Sequence, residues 1–224
     1  MSSPAPAAKK LPVVKLALVA VIGLVGVVLV LRGVNLRDLV EQGLGLIRSA
    51  GPWVYFSAMA IFPALGAPML AFTIPAGEAF AAQMGLGGVI AATLTAIALN
   101  LMLTYWLARY ALRPLLTGLL KRYGYSVPKV TPENALMITL VVRLTPGTPF
   151  PLQGYILGLA EVPFRLFMIV SWLAVLPWAV GAIVLGRGVL NGNFKAVVIG
   201  IGVIIAAMAA VHFIRQRYLK QREG

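Results

Sequence analysis

Val142-Arg143-Leu144-Thr145-Pro146-Gly147-Thr148-Pro149-Phe150-Pro151 holds the only charge in the run from Asn134 to Ala160 and packs three prolines into six positions. An apolar helix through it would be broken or sharply kinked, because each interior proline removes a backbone donor and clashes with the preceding turn. The flanking residues 135–160 are still apolar enough to belong in lipid. These facts together predict two short helices joined inside the bilayer: a re-entrant hairpin. A matching stretch lies upstream. Residues 52–85 carry Pro52, Pro63, Pro68 and Pro75, with Gly66, Gly77 and Gly85 among them, and Glu78 is the only charge from Pro52 to Ala108.

The chain of 224 residues is 60% hydrophobic and 11% charged, with a mean hydropathy of +0.93. A soluble domain is normally about a quarter charged, and one core of this size could not hide so much apolar surface. The composition predicts an all-α integral membrane protein. Cysteine is absent and His212 is the sole histidine, which removes disulfides, thiolate nucleophiles and histidine or cysteine metal sites. No cofactor motif is present. Ser57 and Ser171 lack a histidine at matching depth, so no hydrolase constellation emerges, and the expectation is a protein that is not an enzyme. The net charge of +13 gathers in loops and at helix ends. That fits the positive-inside rule and anionic headgroups. It does not fit nucleic acid, which calls for a basic face with interleaved aromatics.

Residues 1–10 read as a short cytoplasmic tail and residues 11–31 as a first transmembrane helix of roughly 30 Å. From Asn35 to Ser49, Leu36, Leu39, Val40, Leu44 and Ile47 share one helical face, and Arg37, Asp38, Glu41 and Arg48 take the other. Asn35 is placed to cap an amphipathic helix lying on the membrane surface. The expected organisation is therefore a tail over 1–10, a first span and interfacial helix over 11–49, a paired-hairpin domain over 50–190, and a last span with a basic tail over 191–224. If both broken segments crossed the membrane, the basic stretch from Arg109 to Lys129 would face outside. If both turn back, there are about four full spans, and both termini and the basic stretch lie in the cytoplasm. A hairpin followed by a span then occurs twice with opposite orientation. Transporters use this inverted repeat to build a site at the midplane.

Glu78 and Arg143 are the candidate transport and headgroup-binding residues. A charge at the bilayer centre costs on the order of 3 kcal/mol by insertion scales, so both should face the interior, and each is the natural partner of the other. Arginine stays charged and offers a planar fork of five donors that suits a phosphate. Pro75, Gly77, Pro146, Gly147, Pro149, Tyr155 and Gly158 are the residues expected to shape the hairpins. Asn100, Thr104 and Tyr105 read as interhelical hydrogen-bonding groups.

The run from Val142 to Phe150, followed by Tyr155, Gly158, Phe164, Phe167 and Pro177, resembles the second half of the VTT domain of the DedA membrane proteins and the SNARE-associated Golgi proteins. Pro75-Ala76-Gly77-Glu78, Gly85, Gly88 and the Arg109 region are similar to its first half. The resemblance spans about residues 50–190. It implies paired re-entrant hairpins and lipid translocation: flipping of undecaprenyl phosphate or phosphatidylethanolamine in bacteria, and scrambling in eukaryotic relatives. Bacterial members carry a second arginine where this chain has Pro149, and another acidic residue for which residues 79–108 offer no counterpart. The chain thus looks closer to the Golgi-type Tvp branch. The expected partners are membrane lipids, with an anionic or phosphate headgroup as substrate and self-association into a homo-oligomer allowed. The expected location is a bacterial inner membrane. An ion or small-solute transporter and a non-transporting membrane scaffold are the alternatives.

Overall fold

The computed structural model describes residues 36–114, 130–144 and 148–220. The expected tail and first span, the Asn35 cap, Lys121, Arg122 and Lys129, Pro146 and Gly147, and the last four residues lie outside them. Among the described residues all regular structure is helical: α1 (Leu36–Ile61), α2 (Leu70–Trp106), α3 (Pro132–Leu144), α4 (Phe150–Leu159), α5 (Phe164–Leu190) and α6 (Phe194–Lys220). Residues 1–46 and 47–224 form two compact units. In the first, residues 36–46 are helical, with Leu44 buried, while Val40 within the apolar stripe and Leu46 beside it are exposed.

In the second unit the breaks fall where the backbone chemistry puts them. Gly51 (φ 79°, ψ 161°) interrupts α1 just before Pro52. The arm 52–61 passes into the 3-10 turn Phe62–Leu65, which Pro63 opens and left-handed Gly66 (φ 107°) closes. The Ala67 amide donates to the Phe62 carbonyl and the Gly66 amide to Pro63, each at 3.1 Å, a pairing that satisfies carbonyls at a helix end. The returning arm 70–84 stops at Gly85 (φ 70°, ψ 159°), a conformation open essentially to glycine alone. Beyond it the helix runs to Trp106 and continues through a π-helical turn, Leu107–Leu112. The second half repeats the plan. α3 ends at Leu144, α4 starts after Pro149 with Pro151 in its first turn, a turn with Glu161 at φ 58° follows, and α5 runs the length of the unit.

Packing fixes the directions. Tyr105 packs at a tilt against Phe164 and Phe167, and the Trp172 indole donates to the Leu94 carbonyl at 3.1 Å, so α5 is antiparallel to the long part of α2. A Cβ at Gly154 or Gly158 would meet Thr104 and Ala108 respectively, so α4 runs parallel to that part of α2. Gly77 packs against Ile183 and Arg187, and Thr73 shares a cavity with Ala179, so the arm 70–84 runs parallel to α5. The two hairpins therefore enter the unit from opposite ends. Their tips touch, since the Tyr155 hydroxyl donates to the Ala64 carbonyl. Asn100, near the middle of the helical stretch 86–112, donates to the Ala60 carbonyl at 2.9 Å. The core collects at this crossing: Met59, Ile97, Leu101, Tyr105, Leu157 and Phe167 are all but fully buried. Leu70–Leu112 and Phe164–Leu190 are long and apolar enough to cross a membrane by length and composition.

Candidate functional site

Arg143 occupies the last turn of α3, where the helix dipole favours a cation. α3 ends one residue later, at Leu144, and the side chain reaches over to α4 and α5. The residue is 8% exposed. Its Nε donates to Ser171 Oγ at 2.8 Å and its Nη1 to Gln153 Oε1 at 3.4 Å. The Gln153 amide in turn donates to the Thr148 carbonyl at 3.3 Å. Phe150 and Phe167 lie against the guanidinium, with ring centroids 5.2 Å and 5.3 Å from its carbon, where the ring quadrupole attracts a cation. Two nitrogens are thus held and the third is left: Nη2 is buried and makes no hydrogen bond. Such an orphaned donor normally costs about 1–3 kcal/mol, and more on a charged group.

Arg143, Gln153, Thr148 and Thr73 are the polar members of a cavity of about 190 Å³. Its remaining wall is apolar, from Met69 and Leu70 at the first hairpin's tip, Ile97 of α2, Phe150, and Val175, Trp178 and Ala179 of α5. Four elements converge there because Gly154 has no side chain: a Cβ would lie 2.7 Å from Thr104 Cγ2 and 3.9 Å from Arg143 Nη2. A second hollow of about 530 Å³ between Trp53, Phe56, Met84 and Leu99 has no charged side chain in its wall.

Glu78 is not the partner of Arg143. Its carboxylate pairs with Arg48 Nη2 at 3.5 Å, and the same guanidinium donates to the Glu78 carbonyl at 3.1 Å and the Ala79 carbonyl at 3.4 Å. Glu78 follows Thr73 by five residues, about 7.5 Å along the helix, and is outside the cavity wall. The expectation failed because nothing in the sequence ties Arg48 to a partner 30 residues away; the fold sets its guanidinium against the returning arm. The hairpin-shaping residues also divide. Pro149 stands at the second break, and Tyr155 ties the two tips. Pro75 and Gly77 lie inside the returning arm, and the turn is made by Pro63, Gly66 and Pro68. Gly77 and Gly158 act by close packing: a Cβ at Gly77 would lie 2.8 Å from the Ile183 carbonyl and one at Gly158 2.6 Å from Ala108 Cβ. Ser171, Gln153, Thr148 and the two phenylalanines around Arg143 are site residues the sequence did not single out in this role.

Between α4 and α5 a polar cluster closes the second hairpin. Arg113 pairs with Glu161, and Arg109 donates to the Tyr105 hydroxyl, which donates to the Val162 carbonyl at 2.7 Å. Among the described residues no group of three or more histidines, aspartates or glutamates is placed to hold a metal.

Compared with known proteins, residues 67–188 match the family model described as the VTT domain. The matched stretch contains both Glu78 and Arg143. No curated protein and no solved structure matches.

Proposed function

This chain belongs to the VTT domain family, and on that premise we propose that it carries a lipid across the bilayer, with Arg143 receiving the anionic headgroup. The family is membrane-associated, and the long apolar helices fit that setting. The observation that carries the proposal is the free Nη2 of a buried arginine in a cavity that is otherwise mostly apolar. A guanidinium held by two bonds and two rings is already oriented, so binding an anion requires little further ordering. A phosphate oxygen would take the unfilled donor and neutralise a charge that the low-dielectric surroundings penalise.

In this reading the hairpins dip into the membrane from opposite faces as re-entrant segments. Separating the two tips, now joined by Tyr155 and Ala64, opens the cavity first to one face and then to the other. Both termini are cytoplasmic. A bacterial inner membrane is the expected setting, and Pro149 in place of a second arginine favours the Golgi-type branch of the family. Glu78 assists transport from its clasp with Arg48.

The test compares Arg143→Ala and Arg143→Met in proteoliposomes carrying a labelled phosphate-bearing lipid. Both should lose transport. Arg143→Met should still fold in detergent, with a loss of about 1–3 kcal/mol for the bonds it gives up to Ser171 and Gln153, far too little to abolish transport by unfolding. Undiminished transport by either variant would refute the role.

A further inference from the structure

The cavity around Arg143 has a mouth. Of its wall residues, Met69, Thr73, Ile97, Gln153 and Ala179 are buried, whereas Leu70 is 60% exposed and Trp178 is 37% exposed. The opening therefore lies between the first hairpin's returning arm and α5, and it is framed by two large apolar side chains. A freely hydrated anion gains nothing there, because an apolar mouth cannot replace its water. An amphiphile with one anionic group fits. Its charge reaches Nη2 while its chain remains among apolar surfaces.

The indole of Trp178 supports this. Trp172, six residues earlier on α5, donates its N–H to the Leu94 carbonyl. Trp178 makes no such bond among the described residues. A tryptophan with an apolar body and a free donor suits the junction between a polar head and an apolar tail.

We propose that the gap between Leu70 and Trp178 is the lateral portal of the site, occupied by the apolar tail of an amphiphile with one anionic head group, which lies against Arg143. This rests on the headgroup role of Arg143 and adds where the tail leaves the protein. The cavity of about 190 Å³ is the volume of about six waters at ~30 Å³ each. It therefore admits a compact anion and at most the first few methylenes of a chain, so the rest of a long tail lies outside. The ligand class is set accordingly: a small anionic head, a long apolar chain, and entry from the side.

The experiment uses the full chain in phosphatidylcholine vesicles with hexadecyl phosphate bearing a diazirine near its head. After irradiation, adducts are mapped by peptide mass spectrometry. Labelling should concentrate on Leu70 and Trp178 and fall about tenfold in Arg143→Met, the loss expected for one charge-assisted hydrogen bond. An uncharged hexadecyl alcohol probe should not label these positions preferentially, and inorganic phosphate at the same concentration should not protect them. Adducts spread over other lipid-exposed positions such as Leu173 and Ile169, or full protection by inorganic phosphate, would overturn the portal. Labelling at the portal in a protein that moves no lipid would keep the portal and reject the transport reading. Transport that depends on Arg143, with adducts elsewhere, would do the reverse.

Discussion

Gly154 lacks a side chain because Thr104 fills the place where one would project. A Cβ there would lie 2.7 Å from Thr104 Cγ2, and the Thr104 hydroxyl is fixed by its bond to the Asn100 carbonyl at 2.7 Å. Gly154→Ala should therefore destabilise the protein by about 1–3 kcal/mol, the usual cost of overpacking. Thr104→Ser removes the offending methyl and keeps the hydroxyl, so the double variant should recover much of that loss. Unfolding in detergent micelles measures both. A double variant no more stable than Gly154→Ala would mean that another contact sets the helix separation. At this scale the sequence was legible in part. Arg143 stood out as one charge in a long uncharged run. Its partners did not: Ser171 is 28 residues away, on a helix whose facing could not be read from an apolar stretch with no clear stripe. Glu78 stood out in the same way, yet its partner is Arg48, reached only because the fold brings the part of α1 from residue 47 onward beside the returning arm.

The elements were more legible than the contacts. Dense prolines and glycines foretold two broken segments, and each appears as a pair of short helices. What composition could not say is which proline makes the turn. Pro63 and Pro68 flank left-handed Gly66, whereas Pro75 is accommodated inside a helix. Within the first hairpin the clasp between Arg48 and Glu78 gives a prediction. Their side chains are 48% and 23% exposed, and pairs this open to their surroundings contribute at most about 1 kcal/mol. Arg48 also holds two backbone carbonyls, which do not depend on the carboxylate charge. Glu78→Gln should accordingly unfold within about 1 kcal/mol of wild type. If Glu78 assists transport, the same variant should lower translocation well beyond what that small loss explains. Translocation at the wild-type rate would confine Glu78 to fastening the hairpin.

For the whole molecule the directions of α2, α4 and α5 make a claim about the membrane that labelling can check. Gly77 packs on Arg187, so the end of the returning arm at Gln83 lies with the turn between α5 and α6. Tyr105 packs on Phe164, so the start of α5 lies with the end of α2. If α5 crosses the bilayer, these two ends face opposite aqueous compartments. Arg109 and Arg113 lie at the second end, and the sequence that follows adds Lys121, Arg122 and Lys129, so that end should be cytoplasmic. The naturally cysteine-free chain allows single cysteines at exposed Gln83, Lys195, Asn134 and Arg165. A membrane-impermeant thiol reagent should modify the first two from the outer face and the last two from the cytoplasmic face. Labelling of all four from one side would mean that α5 does not cross. The two hairpins would then not approach from opposite faces, and moving their tips could not present Arg143 to each compartment in turn. The expected split would instead place a charged cavity at the meeting point of two incomplete passages, the geometry that alternating exposure requires.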